Sequence, residues 1–240
     1  MVNSLTTLTT IKTGTEVHHM AKVPKGKEFE KAPAGTHPSV CILSCDLGTQ
    51  DKEYEGKKYK SRQIKLGQQL VEERTEEGEN MCIYADFTFS NKSKNLAKIV
   101  KAWTGEDLDD MDPASLLLRP GLTTVIHNQS KDGKKTYANV SAITAPPKGV
   151  KIQKATEPAL SFFFDFEEDV EGNPIPESVT FDVDDFKALP DWIRKIIVKS
   201  DEYPIAMANN ENGGWEGSKG KKKGTSTKGT NKAATSGKKK

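Results

Sequence analysis

The sequence predicts a mainly β domain with one helix inserted among its strands. Three observations predict it. Apolar residues alternate with period two between Val40 and Phe89, change to a period of 3.6 from Leu96 to Trp103, and return to period two between Leu122 and Ile143.

Pro33 and Gly35 close a stretch, residues 1–32, that holds no sustained period and reads as a flexible lead-in. In the first strand Val40, Ile42 and Ser44 share one face, and Cys41, Leu43 and Cys45 the other. Thr49 to Lys58 is polar, carries Gly56 and reads as a loop. Tyr59 to Val71 forms the second strand, interrupted by Gly67, where a bulge or bend is expected. The acid-rich run Glu72 to Asn80 turns into a third strand, with Ile83, Ala85, Phe87 and Phe89 on one face and Cys82, Tyr84 and Asp86 on the other. Leu96, Ile99, Val100 and Trp103 then make one apolar helical stripe, with Ser93 placed to cap its start and Gly105 to stop it. Pro113 opens a short helical turn. Leu122–Asn128 and Lys135–Ile143 form a hairpin around Asp132-Gly133, ended by Pro146 and Pro147. Three strands, a helix and two strands match a five-stranded OB-type Greek-key barrel, with the helix between strands 3 and 4 plugging its base; the alternative is an open antiparallel sheet with one packed helix. This domain is expected over residues 33–148.

Residues 155–205 read as a small C-terminal α/β extension. Leu160–Phe164 and Val179–Val183 are strand-like, Asp182 introduces a helix, and Trp192, Ile193, Ile196 and Ile197 form an apolar face after Pro190. So short a unit needs a surface to dock on, either the barrel or another subunit. Residues 209–240 read as a disordered lysine-rich tail. From Glu216 onward nine lysines face one acid, so the net charge of +2 hides a body of about −6.

Several functions are excluded at this level. No apolar run is long enough for a membrane span, and the threonine-rich start lacks the regions of a secretory signal. Three cysteines cannot all pair within one chain and suit a reducing cytoplasm. Cys41 and Cys45 would sit about 13 Å apart along a strand, too far for one tetrahedral zinc. No nucleophile elbow, phosphate-binding loop or dinucleotide fingerprint occurs, and His37 and His127 have no motif neighbour. The acids Asp165 to Glu171 lack the glycine of a calcium loop and read as a solvated face. No catalytic residue, metal or cofactor is therefore expected.

Basic and aromatic residues do converge. Lys52, Lys57, Lys58, Lys60, Arg62 and Lys65 outnumber Glu53 and Glu55, a local +4, and are interleaved with Tyr54 and Tyr59. Lys131, Lys134, Lys135 and Tyr137 make a second cluster in the last hairpin, and Tyr84 lies on the outer face of strand 3. Cations neutralise phosphates and rings stack on bases, the two needs of single-strand binding. In an OB barrel the loops between strands 1 and 2 and strands 4 and 5 flank the binding face, so the two clusters are expected to rim one groove.

The stretch Pro33-Ala34-Gly35 with Tyr54-Glu55-Gly56-Lys57-Lys58 resembles bacteriophage-encoded OB-fold single-stranded DNA-binding proteins of replication and recombination. That resemblance implies coating of single-stranded DNA, or RNA, in the host cytoplasm, with replication or recombination proteins as partners and oligomers allowed. Many single-strand binders end in an acidic docking tail, whereas this chain ends basic. The rival expectation is a protein–protein module, a phage assembly or host-takeover factor, docking through the face of Trp192 to Ile197.

Overall fold

The computed structural model describes residues 30–212. The chain is mainly β, as expected: strands β1 (Gly35–Tyr54), β2 (Lys57–Arg74) and β3 (Asn80–Thr88) precede helix α1 (Lys94–Thr104), and β4 (Pro120–Gln129) and β5 (Thr136–Thr144) follow it. They form an antiparallel sheet in the order β3-β2-β1-β4-β5, to which β6 (Leu160–Phe162) adds in parallel against β1. β3 and β5 approach each other, but no ladder joins them among the described residues. The closed barrel expected from element order is thus not formed: the sheet is open at this seam.

β1 is the organising strand. One edge pairs with β2 from Ser39 to Tyr54. The other pairs with β4 up to Val40 and with β6 from Leu43. The change of partner coincides with a register shift between Cys41 and Leu43, so the bulge anticipated at Gly67 lies in β1 instead. Gly67 stays in regular register with Tyr84. Its use is close approach, since a Cβ there would lie 2.7 Å from the Tyr84 ring and 2.8 Å from Leu43 Cβ.

The helix is local chemistry. Ser93 caps it through the Leu96 amide, and Gly105, at φ 83°, donates its amide to the Lys101 carbonyl. Leu96, Ile99, Val100 and Trp103 bury against Cys41, Ile64, Leu66 and Ile143. Each such burial contributes roughly 1.5–3 kcal/mol before ordering costs. Trp103 Nε1 donates to the Pro120 carbonyl at 2.8 Å, satisfying its polar handle.

The polar stretch 49–58 is not a loop. β1 and β2 run to a two-residue turn, Glu55 and Gly56, with φ of 50° and 76°. Positive φ at both positions matches the twist of paired strands, and Gly56 meets it without strain. Polar residues paired well here because ladder hydrogen bonds do not depend on burial.

The C-terminal extension packs on β1. Leu43, Cys45 and Leu47 meet Phe162, Phe164, Val179, Phe181, Leu189, Ile193 and Ile197 in one core. Those residues belong to β6, β7 (Phe164–Asp165), Val179 and the strand β8 that follows it (Thr180–Phe181), the turn after helix α2 (Val183–Ala188) and helix α3 (Asp191–Ile197). Asp182 caps α2. A further helix, α4 (Glu202–Asn212), continues past the expected start of the tail at 209. Asn209 and Asn210 reach back to the carbonyls of Glu177, Val179 and Phe181, which ties this end of α4 to the extension. At the other end, Ala32 is buried and its carbonyl takes a hydrogen bond from His127, so the lead-in is docked by that point. The remaining expectations for the lead-in and tail fall on residues 1–29 and 213–240, outside the described residues. No helix described is long and apolar enough to cross a membrane.

Candidate nucleic-acid interface

The distal half of the β1–β2 hairpin is an arm. Gln63 to Val71 of β2 are buried, whereas Lys57 to Lys60 are exposed, as are Asp51, Glu53 and Tyr54 across from them. Register sorts the arm into two faces. Lys52 opposes Tyr59 and Tyr54 opposes Lys57 on one face; Glu53 opposes Lys58 and Asp51 opposes Lys60 on the other. The first face has two cations, two rings and no acid. Tyr54 is 67% exposed and Tyr59 51%, far more than a core tyrosine. Lys52, Lys57 and Lys58 are in no ion pair among the described residues. Lys60 differs, since its ammonium donates to both Asp201 oxygens at 2.6 and 2.8 Å, which raises its pKa.

Arg62 and Lys65, expected to contact phosphate, are instead part of the fold. The Arg62 guanidinium pairs with Asp46, whose side chain is wholly buried, and lies 4.8 Å from the Phe166 ring centroid and 5.3 Å from that of Phe89. Burial pushes the Asp46 carboxyl up, and Arg62 opposes that shift. Asp46 also accepts the Gly48 amide at 2.9 Å. Lys65 pairs with Asp86 and holds its ammonium 5.3 Å from the Trp192 centroid. Both cations lie on the sheet body, where acids and rings distant in sequence surround them.

Tyr84 lies beside Gly67 with its ring 5.1 Å from Trp192 in an edge arrangement, and burial pushes its pKa up to about 12. Trp192 of the C-terminal extension therefore packs against one edge of the ring that was expected to stack bases, and leaves it 39% exposed. The same packing buries Ile193 and Ile197 of the rival reading's docking face against β1 and leaves Trp192 43% exposed.

The second cluster sits on the β4–β5 turn. Ser130 and Lys135 close it, and the Asp132 carboxylate accepts the Lys134 amide and the Ser130 hydroxyl, which lowers its pKa. Lys131, Lys134, Lys135 and the half-exposed Tyr137 face solvent. Gly35 at the start of β1 pairs with Val125, and β4 continues beyond it, whereas the Glu55–Gly56 turn follows the end of β1. The two basic turns leave opposite ends of β1, so the ladder by itself does not set them side by side as rims of one groove.

Between β3 and β5 lies a cleft of ≈ 370 Å³, lined by Lys65, Tyr84, Asp86, Phe87 and Asn139 among others. Sequence reasoning missed it, since only the open seam creates it. Cys41 and Cys45 are buried and Cys82 half-buried, all as free thiols. Burial pushes Cys41 to about 12. Among the described residues no three His, Cys, Asp or Glu side chains group as metal ligands. No protein-family model matches this sequence, and no curated protein is recognisably similar to it.

Proposed function

We propose that this chain binds single-stranded nucleic acid, DNA foremost, without catalysis, and that the β1–β2 arm is its principal contact. The observation that carries the reading is the cross-strand pairing of Lys52 with Tyr59 and Tyr54 with Lys57 on one acid-free face. There a strand would find phosphate partners and stacking platforms in alternation. The sheet order β3-β2-β1-β4-β5, with α1 between β3 and β4, supports an OB-type ancestry in which the seam between β3 and β5 stands open. Coating of single strands during replication or recombination is the role this reading suits, and Lys131, Lys134, Lys135 and Tyr137 would extend the contact on longer strands.

The test is a fluorescence-anisotropy titration of the full chain with oligo-dT across a salt series. Two phosphates neutralised by Lys52 and Lys57 on that face give a slope of log K against log salt of about −1.4. Tyr54→Ala and Tyr59→Ala should each weaken binding by about 1–3 kcal/mol, roughly 5- to 150-fold. Tyr84→Ala should leave it within about twofold, because its ring belongs to the fold. The lysine-rich residues 216–240 contain no aromatic side chain. Binding that keeps its salt slope but ignores loss of both arm tyrosines would therefore belong to that stretch and overturn the proposal.

A further inference from the structure

The turn between β7 and β8 carries an apolar residue that no other described residue covers. Val170 is fully exposed, at 104% of its reference area. Glu167, Glu168, Asp169 and Glu171 surround it in sequence. The turn is nonetheless firmly built. The Asp169 carboxylate accepts the amides of Glu171 at 2.9 Å and Asn173 at 2.8 Å, and the Ile175 amide donates to the Glu167 carbonyl at 2.8 Å. Those bonds hold Asp169 ionised, with its pKa lowered. The result is a rigid knob with a valine tip and four negative charges.

Elsewhere on the extension, α2 and α3 enclose a groove of ≈ 460 Å³ lined by Phe186, Asp191, Arg194, Lys195, Val198 and Lys199. Its floor is apolar, with Val198 48% exposed. Its rim carries three cations against one acid, and Asp191 is already engaged by Lys195 at 2.7 Å and Arg194 at 3.6 Å. Lys199 is in no ion pair among the described residues. The groove matches the knob in both respects: an apolar seat for one small side chain, and positive charge where the knob is negative.

We propose that copies of this chain associate head to tail, Val170 of one copy seating between Phe186 and Val198 of the next while the flanking acids meet Arg194, Lys195 and Lys199. Val170 is fully exposed, so among the described residues none supplies its partner surface. Knob and groove are different surfaces, so the contact is heterologous, and each copy in a row leaves one knob and one groove free for the next. The contact area is small, so association is weak and salt-sensitive in free solution. Copies held along a shared strand would gain from high effective concentration. The contact itself does not require nucleic acid.

Sedimentation velocity of the full chain without nucleic acid tests it. At low salt the weight-average sedimentation coefficient should rise with concentration and pass the dimer value; at high salt it should fall back to the monomer. Val170→Asp, at a fully exposed position, should stay monomeric. Lys199→Glu should do the same, with Val198→Asp as a second groove variant and circular dichroism to confirm folding. An equimolar mixture of Val170→Asp with Lys199→Glu retains one intact knob and one intact groove, and should stop at a one-to-one dimer. Monomeric wild type at every concentration overturns the proposal. So does association that survives either class of variant, which would give the groove or the knob a different occupant, such as the lysine-rich C-terminal residues. A mixture that fails to pair overturns it as well.

Discussion

Replacing Gly48 with alanine should uncouple the C-terminal extension from the sheet. Gly48 sits at a register shift in β1 with φ 68°, where Ser200 and Glu202 come down on the strand. Glu202 accepts the Thr49 amide at 2.7 Å and its hydroxyl at 2.6 Å, so this is the seam that ties α4 to β1. Two costs combine. A non-glycine residue in the left-handed region costs about 1–2 kcal/mol. A Cβ at this position would lie 2.6 Å from Ser200 Cβ and 2.7 Å from a Glu202 oxygen. Forcing a methyl into so close a packing adds about 1–3 kcal/mol. The expected total is about 2–5 kcal/mol, a large share of the roughly 5–15 kcal/mol that stabilises a domain. Gly56 provides the control, since it has φ 76° with nothing within 4 Å, and Gly56→Ala should show the conformational cost alone. Urea denaturation followed by circular dichroism and tryptophan fluorescence reads both. At a slope of about 2–3 kcal/mol per molar urea, the midpoint should fall by about 1–2 M for Gly48→Ala and by about 0.5 M for Gly56→Ala. Equal losses for the two would show that the contact with Ser200 and Glu202 carries no energy, and would refute the reasoning.

Asp46→Ala should cost about 3–5 kcal/mol, because it leaves the Arg62 guanidinium beside Phe89 and Phe166 with no carboxylate. Adding Arg62→Leu should restore part of that; a single-variant loss below about 1 kcal/mol in the denaturation midpoint would sink the assignment of Arg62 to the fold. Stability should also decline in alkali. Burial, with Glu157 adding to it, pushes the Cys82 thiol up to about 11, whereas an unfolded thiol titrates near about 8.5. The native state keeps its proton longer, so this contribution is complete below about 8.5 and is lost as pH rises through about 11. Denaturation midpoints of Cys82→Ala should fall less steeply than wild type over that window, and parallel curves would contradict the burial argument.

The helix at 94–104 was legible because every signal for it is local: a capping serine, an apolar stripe of period 3.6 and a glycine stop within a dozen residues. The β4–β5 hairpin was legible for the same reason, through Asp132-Gly133 between two alternating runs. The arm was not, because a polar run looks alike whether its backbone bonds water or a neighbouring strand, and only the Glu55-Gly56 turn chooses between them. The lysines of the arm were read from the sequence as one set with Arg62 and Lys65. The structure divides them, since Asp46, Asp86, Phe166 and Trp192 are brought to the last two by pairing and packing across tens of residues.

What the sequence determined by itself is the inventory: short alternating strands around one amphipathic helix, an acidic body with a basic end, and lysines interleaved with tyrosines near residue 55. What only the tertiary structure decided is which of these remain available to a partner. Exposure depends on which distant segment packs on a residue, and period and composition do not encode that. The extension from Leu160 onward reaches the buried Lys65 and packs Trp192 against one side of Tyr84 but leaves Tyr54 and Tyr59 in solvent, because its apolar side chains matched Leu43, Cys45 and Leu47 on the sheet and found nothing to bury on the arm.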